Sequence, residues 1–335
     1  MDMSTQRDVW LAQTVEDAME PGLPICDPHH HFWDRDGDRY MLEQLTEDVS
    51  GGHNIAQTVF IECHSMYRAH GPDEMRSVGE IEFVQGIAAQ SASGQYGPTE
   101  VAAGIVGNAN LMLGSAVQPA LEALIAASSN RFRGIRFSCG WDASPQVSPG
   151  SPNTPGMLMD SRLREGFNCL RNLGLSFDAL VYHTQLADLA DLAGAFPDAT
   201  IILNHIGRPL GVGPYAGKRD EVFADWQKGI AAVAEHENVV VKLGGFGNVI
   251  SGYDWHQRPI PPTSTELADT IAPWIMYCIE QFGPERCMFE SNFPVDKNSY
   301  AYTNGWNAFK RVTAGFSDPE KAAMFQGTAV KAYRL

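Results

Sequence analysis

The sequence predicts a single-domain α/β protein, a (β/α)8 TIM barrel with long loops after its strands. Three observations predict it. Eight short apolar runs rich in β-branched residues recur along the chain, segments with helical spacing lie between them, and the longest Gly- and Pro-rich stretches each follow a strand.

In chain order, residues 1–22 read as an N-terminal extension and residues 23–335 as the barrel with its C-terminal helix. The expected strands are Ile25 to His31, Thr58 to Cys63, Val101 to Val106, Phe132 to Ser138, Ser176 to Tyr182, Thr200 to Asn204, Val239 to Leu243 and Cys287 to Asn292. Between the last strands, Val222, Trp226, Ile230 and Val233 share one helical face. Leu186 to Phe196 reads as a helix with Thr184 as its N-cap and Pro197 past its end; Ser317 or Asp318 caps the last helix ahead of Pro319. An open doubly wound sheet is the other arrangement such alternation allows, but no GxGxxG follows the first strand. The stretches Gly140 to Gly156, Gly207 to Gly217 and Gly244 to Pro262 fall at the C-terminal face, where a barrel builds its active site.

Composition narrows the partners. Hydrophobic residues at 44% and charged residues at 19% suit a large packed core. A net charge of −16, from 24 basic against 40 acidic residues, argues against nucleic acid. The first twenty residues lack the pattern of a secretory signal, no apolar run is long enough to span a membrane, and the six cysteines form no compact framework. A cytoplasmic location with reduced thiols is the expectation.

The histidines carry the chemistry. Strand one ends Asp27-Pro28-His29-His30-His31, and the two-residue period of a strand turns His29 and His31 to one side and His30 to the other. His183 closes strand five and His205 closes strand six, so all four imidazoles are expected at one mouth, a set suited to a divalent ion. A hydrogen-bonded histidine cluster without metal is the alternative. His53, His70, His236 and His256 fall in loops or at helix ends and receive no role.

The segment DPHHHFWD, the strand FIEC containing Glu62, His183, the segment HIGRP from His205 and the Gly327-Thr328-Ala329 region together resemble the amidohydrolase superfamily over most of the chain. The likeness is greatest to the amidohydrolase-2 group of TIM-barrel hydrolases, which includes sugar-lactone and pyrone-dicarboxylate lactonases and related decarboxylases. It implies that His29, His31, His183 and His205 hold a divalent metal, zinc first and iron or manganese, as one or two ions, in second place. It also implies that arginines grip a substrate carboxylate. Arg136 on strand four and Arg208 after His205 suit that role, since a guanidinium fork matches a carboxylate; a salt bridge to a neighbouring acid is the other reading. Tyr67, Arg68, Tyr182 and the Trp255 loop are candidates for adding selectivity, with positions that the sequence does not fix.

One departure bears on mechanism. Where the family has an Asp within a Ser-Asp-x-Pro pattern after strand eight, this chain has Asn292, and an amide is no general base near neutral pH. Glu62, Glu290 and Asp296 are the candidate substitutes. Glu290 shares the parity of Asn292, and Glu62 with His64 offers a second group of ligands, unless Glu62 only orients a ligand histidine.

Two main readings follow. The first is a metal-dependent hydrolase of a small lactone or related carboxylated substrate. The second is a dinuclear Fe or Fe/Mn oxygenase (a monooxygenase) on the same fold, hydroxylating a small acid. A catalytically silent subunit beside a related partner, and a metal-free lactonase, are further alternatives. A homo-oligomer is expected from the fold's relatives.

Overall fold

The computed structural model describes residues 3–35, 37–147 and 152–335. Eight parallel strands follow one another in chain order: β1 (Pro24–His30), β2 (Asn54–Ile61), β3 (Glu100–Gly107), β4 (Phe132–Ser138), β5 (Ser176–Leu180), β6 (Ile201–Leu203), β7 (Val239–Leu243) and β8 (Cys287–Phe289). Each pairs with its sequence neighbour, the order that right-handed βα connections produce. The gap between β8 and β1 is bridged just past the strand ends. His31 N–H donates to the Phe293 carbonyl at 2.8 Å, and Asp27 of β1 accepts from Ser291 N–H at 3.0 Å and Tyr302 OH at 2.9 Å. All eight expected strands are present, within a few residues at their ends.

The helices cover the outside: α1 (Met3–Leu11), α2 (Leu42–Val49), α3 (Val78–Ser91), α4 (Gln118–Ala127), α5 (Ser161–Asn172), α6 (Leu186–Ala195), α7 (Arg219–Ala234), α8 (Ser264–Phe282), α9 (Tyr302–Val312), α10 (Asp318–Ala322) and α11 (Thr328–Tyr333). In α7 the buried face is Val222, Trp226, Ile230 and Val233, the spacing read from the sequence. Ser317 caps α10 in a capping box with Glu320. Thr184 does not cap α6. It lies inside a short 3-10 turn, His183–Gln185, that closes on itself because Gln185 Oε1 accepts from Tyr182 N–H at 3.3 Å.

The larger apolar cluster lies between strands and helices, and a smaller one fills the barrel interior. The interior cluster includes Cys26, Val59, Val106, Ile202 and Met288 together with Ala329, Ala332 and Tyr333 of α11, so the end of the chain plugs the barrel opposite its mouth. At the other face the N-terminal segment runs along the loops. Trp10 Nε1–H donates to the Arg258 carbonyl at 2.9 Å, and Arg7 reaches Asp38 at 3.1 Å. No described helix is long and apolar enough to cross a membrane.

Candidate active site

His29 and His31 leave β1 toward the interior, with ring centroids 4.9 Å apart, and His205 approaches His29 at 4.6 Å. His30 turns the other way, as alternation requires, and packs on Phe32 while its Nε2 meets Thr58 Oγ1 at 2.9 Å. His205 reaches the site through an unusual backbone. His205, Ile206, Gly207 and Arg208 have φ of 54°, 50°, 75° and 42°, consecutive left-handed residues of which only the glycine is at ease. Such a run costs roughly 1–3 kcal/mol per strained residue. Trp226 Nε1–H to the Ile206 carbonyl at 2.6 Å and His205 N–H to Glu290 Oε1 at 3.2 Å hold it in place.

Glu290 organises the imidazoles. One carboxylate oxygen lies 2.6 Å from His205 Nδ1, the other 2.7 Å from His29 Nδ1, and His31 Nδ1 lies 2.7 Å from the Ile61 carbonyl. These acceptors assign the proton of His31 and of His205 to Nδ1, while His29 Nδ1 lies between the Glu290 carboxylate and the Lys242 ammonium at 3.1 Å. His205 Nε2 is buried with no partner, while Arg136 Nη1 stands 3.3 Å from His29 Nε2. Burial holds all of them neutral. For His29 the Lys242 ammonium adds to it, for His31 Arg136, and for His205 Arg208. Donor atoms of His29, His205 and Glu290 lie within 4.8 Å of one another. Neutral imidazoles pinned at one nitrogen by a shared carboxylate, with an unpartnered buried lone pair, fit a divalent ion.

Several expected residues sit elsewhere. His183 is buried against Tyr215 at 5.2 Å, and its Nδ1 accepts from Leu210 N–H at 3.4 Å; among the described residues no hydrogen bond or ring contact joins it to the other imidazoles. His64 has a side chain 69% exposed on a bend with φ of 61°, its Nδ1 3.1 Å from Tyr67 OH and its Nε2 3.8 Å from Glu62 Oε2. Glu62 is held by Arg136 Nε at 2.8 Å, so the guanidinium expected to hold substrate is engaged by this carboxylate. Arg136 also donates to the Glu62 carbonyl. Asp296 accepts from Tyr300 OH at 2.6 Å, Asn292 Nδ2 at 2.7 Å and Gly247 N–H at 2.9 Å, which ties the loop after β8 to the loop after β7, and burial pushes its pKa up to about 7. Arg68 pairs with Glu82 at the surface and not at the mouth. Tyr182 lies with its ring beside Gly140.

Arg208 differs from the other arginines of the site. Its Nε is buried without a partner though the side chain is partly exposed, no ion pair among the described residues engages it, and burial and then Arg136 pull its pKa down to about 10, against the pull of Asp296 and Glu290. A desolvated cation without a counter-ion is a ready seat for an anion.

The sequence reading passed over Lys242 and Asp178. Both are fully buried, on β7 and β5, with Nζ 2.9 Å from Asp178 Oδ1 and 3.1 Å from His29 Nδ1. The available signal was a charge in the middle of each short apolar strand, Val239-Val-Val-Lys-Leu243 and Ser176-Phe-Asp-Ala-Leu180. Such a residue is tolerated inside a barrel only with a partner.

An eight-stranded parallel barrel with a histidine cluster at its C-terminal mouth defines a class of barrel enzymes. The family model described as Amidohydrolase (Amidohydro_2) matches residues 26–335, and the chain belongs to that family. An uncharacterized protein, y4mH, of Sinorhizobium fredii is 30% identical across 93% of this chain and 99% of its own. An L-fucono-1,5-lactonase of Burkholderia multivorans is 25% identical, over 52% of this chain and 57% of the lactonase, so little more than half of that enzyme is matched. Among solved structures, an amidohydrolase from Burkholderia multivorans with bound zinc superposes with a TM-score of 0.68 at 21% identity, covering 93% of this chain and 99% of that one.

Proposed function

We propose that the protein is a metal-dependent hydrolase acting on a small carboxylated cyclic ester of the lactone type. The observation that carries this is the grouping of His29, His31 and His205, each with Nδ1 beside an acceptor, with Arg208, a partly exposed cation that no ion pair among the described residues engages. His29, His31 and His205 would hold the ion. A bound divalent ion supplies an activated water and polarises the ester carbonyl. Arg208 takes the substrate carboxylate and fixes the ring at the mouth. Of the carboxylates named as substitutes for the family's Asp, Glu290 alone faces the imidazoles, and burial pushes its pKa up to about 7. Both of its oxygens lie on imidazole Nδ1 atoms, so it is assigned the role of holding His29 and His205 in place for the ion.

The dinuclear oxygenase reading is less favoured, since Arg136 engages Glu62 Oε1 and the His64 side chain beside that carboxylate is 69% exposed. The experiment is a panel of sugar-acid lactones and carboxylated pyrone lactones, assayed with chelator-stripped and zinc- or manganese-restored protein, and with Arg208→Gln. We expect turnover that stripping removes and metal restores, and a KM raised about tenfold to a hundredfold in Arg208→Gln, the value of a charged hydrogen bond. Turnover that survives stripping points to the metal-free lactonase. No hydrolysis of any carboxylated lactone by metal-loaded protein sinks the proposal.

A further inference from the structure

The ammonium of Lys242 lies in the floor of the site, and its surroundings describe what it replaces. It touches Asp178 Oδ1 at 2.9 Å and His29 Nδ1 at 3.1 Å, and it lies 5.3 Å from the centre of the Tyr333 ring. Asp178 Oδ1 also accepts from Asn204 Nδ2 at 3.0 Å and Tyr333 OH at 2.7 Å. Two acceptors around it, Asp178 Oδ2 and Asn204 Oδ1, are buried with no partner at all. A chamber of oxygen and nitrogen acceptors that donors only partly satisfy is the chemistry of a cation site, and here the chain supplies the cation itself.

We infer that Lys242 occupies the place of a second metal ion and limits this site to one. The inference rests on the metal-dependent reading above and deepens it. The ammonium is fully buried and ion-paired, so an incoming divalent ion at this position would meet an unscreened positive charge at contact distance. Its stem also fills the volume. On the other side of His29, Arg136 Nη1 stands 3.3 Å from Nε2 and is itself held by Glu62, while the buried Nε2 of His205 has no partner and is the atom left for a first ion. Asp178 is thereby kept out of metal coordination although it lies on the adjoining wall.

The test is metal stoichiometry, read without reference to turnover. Wild-type protein and Lys242→Ala are stripped, equilibrated with excess Mn(II), freed of unbound ion and analysed for manganese per chain, with electron paramagnetic resonance on the same samples. The expected result is one ion per chain and an uncoupled Mn(II) spectrum for wild type, against a second ion and an exchange-coupled spectrum for Lys242→Ala. Two coupled ions in wild type overturn the inference while leaving the hydrolase reading intact, and so does a folded Lys242→Ala that still takes only one. Should Lys242→Ala fail to fold, the wild-type spectrum decides, since coupling there is what the inference forbids. Wild type that binds no ion overturns this inference together with the metal-dependent reading, and the lactone panel then separates a metal-free hydrolase from a protein that does not hydrolyse.

Discussion

Each histidine of the first strand has a fate set by its neighbours. His29 and His31 are kept neutral for ligation, whereas His30, one residue between them, is spent on packing. Burial pushes the His30 pKa down to about 3. An unfolded histidine binds a proton near pH 6.5, so below that value the unfolded chain holds a proton that the folded chain refuses. His30 therefore gives its full stability above about pH 6.5 and loses it as pH falls toward 3. Replacing His30 with Gln removes that linkage. The melting temperature of His30→Gln should be lower than wild type at neutral pH but fall less steeply between pH 6.5 and 4, measured on metal-free protein to keep ligation out of the comparison. An acid limb as steep as the wild type's would show that His30 is not the group being titrated.

At the scale of elements, the site depends on how closely the ends of β6, β7 and β8 approach one another. β7 runs into Gly244 and Gly245, and Gly245 has φ of 75°; a Cβ there would lie 2.6 Å from Cβ and Cγ of His205. Gly245→Ala should push the His205 ring off Glu290 and lower kcat on order of a hundredfold, the effect expected of a catalytic group displaced by about 1 Å. Gly283→Ala is the control: its φ is 77° but no atom lies within 4 Å of the added methyl, so it carries backbone strain without a collision. Equal kcat in the two variants would remove Gly245 from the site's design. The same junctions explain what the sequence could tell. Periodicity placed every strand, because the pattern of Val239 to Leu243 is local, and parity alone sent His29 and His31 inward. Parity fails at His205, where three further left-handed residues follow, and at His64, where φ of 61° breaks the strand geometry on which its inward placement relied. The Arg136–Glu62 pair joins residues from β4 and the end of β2, and only the closed barrel shows that these two satisfy each other.

For the whole molecule, the two ends of the chain frame the catalytic layer from opposite sides. The N-terminal segment is tied to α9: Met19 N–H donates to Asn307 Oδ1 at 2.8 Å, and Lys310 Nζ donates to the Met19 and Glu20 carbonyls at 2.8 and 2.9 Å. The C-terminal helix closes the floor, and its Tyr333 is wholly buried with its hydroxyl on Asp178. Asp178 in turn holds Lys242, which touches His29, so the last turn of the protein is joined to the first strand's ligand through two hydrogen bonds and one close contact. Tyr333→Phe keeps the ring and deletes only the donor. Leaving a buried carboxylate short of one hydrogen bond costs about 1–3 kcal/mol. In a chain of this size that lowers the melting temperature by roughly 2–4 °C. If the chain of contacts transmits position as well as stability, Tyr333→Phe should also weaken metal binding, whereas Thr313→Val, which removes a buried hydroxyl in α9 bonded to the Phe309 carbonyl at 2.8 Å, should cost stability alone. Calorimetry and a competition titration with a chelator read the two effects separately. Equal metal affinity in the two variants would reduce the plug to a stopper, and a weakened affinity confined to Tyr333→Phe would make the end of the chain part of the active site.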